Sequence, residues 1–157
     1  SPRSTPDRGK ITIERTPLSV AQPMIDWAAA HACVGAAVKA AGVLGLRVNV
    51  AVVDAGGVLA AFLRMPGAPL HSVDIAIDKA YTAASFGLAT SQWSAALQQH
   101  SVAVRDGIVR RPRFVAFGGG LPVMEVGQCI GGIGVSGATE EQDEAIANAG
   151  LKAMGLV

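Results

Sequence analysis

The sequence predicts an α+β domain, with helices packed on an antiparallel sheet. Two observations carry that reading. Strand-like segments come in two neighbouring pairs, which suits hairpins, and segments of helical spacing stand before, between and after them. The order is α-β-β-α-α-β-β-α, which layers helices on a sheet whose strands are joined by turns. With 157 residues and no linker-like interior stretch, the chain suits one domain, and it is long enough to hold a substantial core.

Residues 1–10, SPRSTPDRGK, are polar, charged and Pro-rich, and predict a flexible tail over 1–15 ahead of a single domain over 16–157. Residues 11–19 suggest a short edge strand. Ile25, Ala28, Ala29, Ala32, Ala36, Ala40 and Val43 recur at helical spacing, which predicts a helix over 23–44 with Pro23 in its first turn and Gly45 ending it. LRVNVAVVD and VLAAFLRM flank the turn DAGG and predict a hairpin over 46–65. PGAP breaks the chain at 66–69. A second helix is expected over 72–86, stopped by Gly87. A shorter one, capped by Thr90 or Ser91, runs to about His100. RDGIVRRPR reads as a polar connection, FVAFGGGLPV and GQCIGGIGVS as strands. Thr139-Glu-Glu-Gln142 is a capping box that starts the last helix, with Ile146, Ala149, Ala153 and Met154 as its apolar stripe.

Composition narrows the function. Formal charge is +1, which disfavours nucleic acid as a partner. The most apolar window, 27–46, is interrupted by His31 and Lys39 and is too weak for a membrane span. No signal peptide is visible; a cytoplasmic location is expected, or a secreted one if the N-terminus is processed. The two cysteines, Cys33 and Cys129, form no CxxC and read as buried free thiols.

Gly132-Ile-Gly134-Val-Ser-Gly137 spells G-x-G-x-x-G, the dinucleotide fingerprint. Such a site needs a further helix and a parallel strand beyond the glycines. Only 20 residues follow Gly137, and the last helix fills them. The glycines therefore belong to a strand stripped of side chains. By alternation Ile130, Gly132, Gly134 and Ser136 share one face, Cys129, Gly131, Ile133 and Val135 the other. The bare first face must be covered by a helix, a second subunit or a flat ligand.

Three stretches closely resemble the GlcG/HbpS family, the haem-degrading domain also fused to some corrinoid adenosyltransferases of the PduO type. They are VAVVDAGGVLAAFLRMPGAPLHSVDIAIDKAYTAASFG, FGGGLPV and IGGIGVSGATEEQDEAIANAGLKA, and the match runs from about Leu18 to Met154. The resemblance implies a profilin-like or PAS-like three-layer α/β/α domain, homo-oligomers, often octamers, and haem or another tetrapyrrole as ligand, held between the second helix, the FGGGLP loop and a neighbouring subunit. A planar tetrapyrrole would suit the bare glycine face. One segment departs from the pattern: QHSVAVRDGIVRRPRFVAFGGG concentrates Arg105, Arg110, Arg111 and Arg113, which suits a different, anionic ligand.

His71 stands where free helix N–H groups and an imidazole meet, and is the candidate metal ligand or acid/base; a turn-capping role is the alternative. Ser72, Ala76, Lys79 and Ala83 fall on one helical face. Lys79 is then either the one charge reaching a cavity, as carboxylate binder or base, or the partner of an acid. His31 follows Trp27 and precedes Gly35 by one turn each, a stripe that would flank a flat cofactor or simply pack. Arg64 and Met65 end a strand beside PGAP, where the guanidinium suits a propionate or a salt bridge. Gly118, Gly119 and Gly120 form a loop able to cradle an anion, and Glu125 after it is a candidate acid/base. Asp54 reads as a turn residue. Beside tetrapyrrole binding stands a second reading, a cofactor-free isomerase, lyase or hydrolase acting on a small anionic or ring-containing compound through His71 and Lys79. A third is a non-catalytic accessory protein.

Overall fold

A computed structural model describes residues 2–5, 9 and 15–157. The tail therefore falls partly outside the described residues, as does the first part of the expected edge strand; residues 15–19 carry no helix or strand. Helix α1 (Trp27–Val43) begins where Asp26 accepts the Ala28 N–H at 3.3 Å, so Pro23 lies outside it. Strands β1 (Asn49–Asp54) and β2 (Leu59–Arg64) form the first hairpin. Asp54 Oδ1 accepts the Gly56 and Val58 N–H groups at 2.8 and 3.1 Å, which closes the turn as expected. Helix α2 (Ser72–Phe86) ends at Gly87 in the left-handed conformation, φ 66°. A 3-10 turn at Thr90–Gln92 leads into α3 (Trp93–Leu97).

The first residues of the segment expected as a polar connection, 105–108, instead belong to α4 (Val102–Ile108), started by Ser101, whose hydroxyl accepts the Val104 N–H. None of its residues is buried, so no apolar stripe marked it in the sequence. Strands β3 (Gly120–Glu125) and β4 (Gln128–Ser136) follow, then α5 (Glu140–Ala153) behind its capping box. The β3–β4 turn places Val126 and Gly127 at φ 48° and 75°, the mirror-image turn that suits sheet twist, without the usual Asn-Gly signature. The stripe of α5 is Asp143, Ile146, Ala147, Gly150 and Leu151; Ala153 and Met154, expected inside, are exposed.

The four strands run antiparallel in the order β2-β1-β4-β3. Helices α1 and α5 cover one face, where Val50, Val52, Val123, Ile133 and Val135 meet Val34, Ile146 and Leu151. Each such branched side chain, fully buried, contributes about 1.5–3 kcal/mol. The other face carries α2 alone over a thin layer of Ala51, Val53, Ala76 and Ala80. The architecture is thus the three-layer α/β/α arrangement expected.

The bare glycine face is filled by α2. A Cβ at Gly132 would strike the Ala80 carbonyl, and one at Gly134 the Ala76 carbonyl. This corrects the expectation that a tetrapyrrole would suit that face: helix backbone occupies it. Strict alternation also fails at one point. The β3–β4 register jumps from Val123↔Gly131 to Met124↔Cys129, leaving Ile130 as the extra residue of a bulge. Ile130 turns to the α1 side, beside Ile25, whereas Cys129 turns to α2, its thiol 3.7 Å from the Ala84 carbonyl oxygen.

Candidate functional site

Helix α2 organises the site because its inner face is built of small residues and one long one. Lys79 is 1% exposed. Its ammonium donates to the Val135 carbonyl at 2.9 Å and to Asp143 Oδ2 at 3.1 Å, and lies 5.1 Å from the centre of the Phe117 ring. Asp143 in turn accepts the Ala138 N–H through Oδ1 at 3.0 Å. The pair ties α2 to α5 through the end of β4. Burial lowers the Lys79 pKa and raises the Asp143 pKa, and the opposite charge of each partner counters both shifts.

Gly119 makes room for this pair. It sits at φ 126°, and a Cβ there would come within 2.5 Å of the Lys79 nitrogen. The Gly120 N–H is committed to Thr90 Oγ1 at 2.9 Å. Gly120 thus provides clearance for the Lys79 carbonyl of α2, and Gly119 for the buried ion pair. A cavity of 310 Å³ opens beside it, lined among others by Ser72, Lys79, Phe117, Ser136, Glu140 and Asp143.

His71 lies next door, exposed at the start of α2, with no side-chain capping bond. It lines a cleft of 540 Å³ with Leu70, Val73, Ile75, Val115, Asp74 and Asp78. Arg64 secures the chain leading there: Nη1 donates to Asn49 Oδ1 at 3.2 Å and Nη2 to the Ala68 carbonyl at 2.7 Å. Of the candidate residues, Lys79, Gly119 and Gly120 come together at the middle of α2, Ser72 lines the same cavity as Lys79, and His71 stands at the helix start.

Three candidates lie elsewhere. Met65 packs against the core on the α1 side of the sheet. His31 is exposed on the outward face of α1, near Trp27, which is 74% exposed, and Gly35, where an added methyl group would meet nothing within 4 Å. Glu125 does not follow the glycine loop in space. The length of β3 separates them, about 16 Å at strand rise, and Glu125 lines a different cavity with Asp26 and Met154.

Asp143 was not singled out from the sequence, although a signal was present. It occupies the buried stripe of α5 one turn before Ile146 and Ala147, where an acid must find a cation. Among the described residues no group of three or more His, Cys, Asp or Glu is placed to hold a metal ion. A haem needs only one such side chain. No helix among the described residues is long and apolar enough to cross a membrane.

A family model described as haem degrading protein HbpS-like matches residues 25–152. An uncharacterised 15.0 kDa protein from the dhaT–dhaS intergenic region of Citrobacter freundii is 40% identical over 110 residues, 68% of this chain and 78% of that protein. The corrinoid adenosyltransferase PduO of Salmonella typhimurium is 36% identical over 126 residues, 80% of this chain but only 38% of that protein. A crystal structure of a PduOC:heme complex superposes with a TM-score of 0.78 at 34% identity, covering 85% of this chain and 97% of that one.

Proposed function

The chain belongs to the HbpS-like haem-degrading protein family, and from that premise we propose that it binds haem through one histidine. The observation that carries the reading is the His71 cleft. An imidazole without a capping bond stands at the mouth of a 540 Å³ space walled by Leu70, Val73, Ile75 and Val115. That volume falls in the range of small-molecule sites, and apolar walls suit a macrocycle. Haem would supply a redox-active iron. His71 would hold that iron, and the apolar walls would exclude water from it. Asp74 and Asp78 stand on the same rim, so the propionates would turn away from them toward solvent.

A second placement rests on its own observation. The outward face of α1 presents exposed Trp27 and His31 on a surface otherwise built largely of Ala and Gly. It lacks an acid after Asp26, and would enclose a planar ligand only with a second copy of the chain.

Titration of the purified protein with hemin distinguishes the two. The expected result is a saturable shift of the Soret band that His71→Ala abolishes and His31→Ala leaves intact. The opposite pattern assigns the ligand to α1. No saturable shift in the unsubstituted protein overturns haem binding altogether.

A further inference from the structure

The C-terminal half of α2 borders a cleft of 300 Å³ that neither the ion pair nor the His71 cleft uses. Its apolar walls are Phe86, Ile108, Pro112 and Phe114. Phe86 and Phe114 meet edge to face, ring centres 6.0 Å apart. Trp93 packs behind both, at 4.7 and 4.9 Å, its indole N–H without a partner among the described residues. Two arginines, Arg111 and Arg113, also line the cleft.

Arg113 is held in place at a cost. It is a non-glycine residue at φ 68°, a conformation that side chains disfavour and that clusters at ligand sites. The buried Thr82 hydroxyl fixes it, donating to the Arg113 carbonyl at 2.9 Å while accepting the Val115 N–H at 3.1 Å. The guanidinium lies over the Tyr81 ring, its carbon 3.6 Å from the ring centre, and its Nε donates to Asp78 at 3.0 Å. Gly57 packs against the same tyrosine, since a Cβ there would come within 2.8 Å of the ring. Neither terminal nitrogen of Arg113, nor any guanidinium nitrogen of Arg111, has a hydrogen-bond partner among the described residues.

The geometry points to a binding site for a small aromatic monocarboxylate in this cleft. Asp78 neutralises one of the two guanidinium groups, so the cleft carries one net positive charge, the complement of one carboxylate. The unbonded guanidinium N–H groups offer charge-assisted hydrogen bonds to it. The aromatic walls take an aryl ring edge to face. The volume suits a single ring and is too small for a macrocycle. The Asp78–Arg113 bridge forms the partition from the His71 cleft, since Asp78 lines one and Arg113 the other.

Isothermal titration calorimetry with benzoate tests this on the full chain. Benzoate should bind saturably, at least tenfold more tightly than either benzyl alcohol or acetate. Arg111→Ala, an exposed substitution that removes no hydrogen bond among the described residues, should weaken benzoate at least tenfold with its circular dichroism unchanged. His71→Ala should leave benzoate affinity as it was. Absence of saturable heat, equal binding of acetate or benzyl alcohol, or an unaltered affinity in Arg111→Ala would overturn the assignment.

Discussion

Removing either member of the Lys79–Asp143 pair leaves a charge in a place that water does not reach. In Asp143→Leu, the buried Lys79 ammonium keeps one hydrogen bond, to the Val135 carbonyl at 2.9 Å. Breaking a buried pair from one side costs about 3–5 kcal/mol. The Ala138 N–H also loses its acceptor, which adds about 1–3 kcal/mol. In Lys79→Met the Asp143 carboxylate retains that N–H, so the loss lies at the lower end, about 3 kcal/mol. For a domain of this size each kcal/mol shifts Tm by about 2–4 °C, so Lys79→Met melts roughly 6–12 °C lower and the Asp143 variant roughly 8–32 °C lower. The combination Lys79→Met with Asp143→Leu puts apolar groups of similar volume in the gap and recovers most of the loss. The assay is urea unfolding followed by tryptophan fluorescence, at one fixed protein concentration because assembly also shifts apparent stability. A coupling of about 2 kcal/mol or more is expected. Single losses that simply add, within about 0.5 kcal/mol, would refute the reasoning.

The same pair sets a pH dependence. Burial raises the Asp143 carboxyl above its ordinary 3.8, so its contribution to stability is fully present below that value and is lost as pH rises through the folded pKa. Lys79 is lowered from 10.5, so its contribution is present above 10.5 and is lost as pH falls through the folded pKa. Relative to the Met/Leu double variant, the unsubstituted protein should therefore gain stability toward acid and toward alkali and stand lowest between; a flat difference across denaturation curves at several pH values would contradict this. Gly134→Ala drives a methyl group into the Ala76 carbonyl, where helix backbone cannot yield as a side chain can. Overpacking typically costs about 1–3 kcal/mol, and a backbone collision belongs at or beyond the upper end. Thermal denaturation checks it, and a Tm within a degree of the parent protein would show that α2 sits less closely on β4.

Local chemistry was the legible part of this fold. Helix α2 keeps the expected bounds because Gly87 can take the left-handed conformation that stops it. Helix α5 begins at the capping box because Thr139 and Gln142 bond each other's backbone within four residues. The Asp54 turn is equally local. Features that depend on distant segments were not legible. A bare strand face says that something covers it but does not name α2. The bulge at Ile130 arises from pairing with β3 and breaks an alternation that β4 alone suggests. Helix α4 buries nothing, so it left no periodic trace. In the site, Lys79 was singled out by its small neighbours, whereas Asp143 is 64 residues away and meets it only through the packing of α5. The Arg113–Tyr81–Asp78 stack depends on a backbone conformation that Thr82 imposes from another element, which an arginine-rich stretch does not spell out.

The glycine seats beneath α2 bear on whether its two clefts could influence one another. The helix borders the His71 cleft with its first turns and the arginine cleft with its last, so it is the natural channel for a signal between them. A signal of that kind needs the helix to have two positions. Its backbone is keyed into β4 at Gly132 and Gly134, and Lys79 pins it to α5, so sliding or rolling meets hard contacts at once. On the two proposed assignments, a motion of the helix would carry no signal between the clefts, and the element they share is the Asp78–Arg113 bridge.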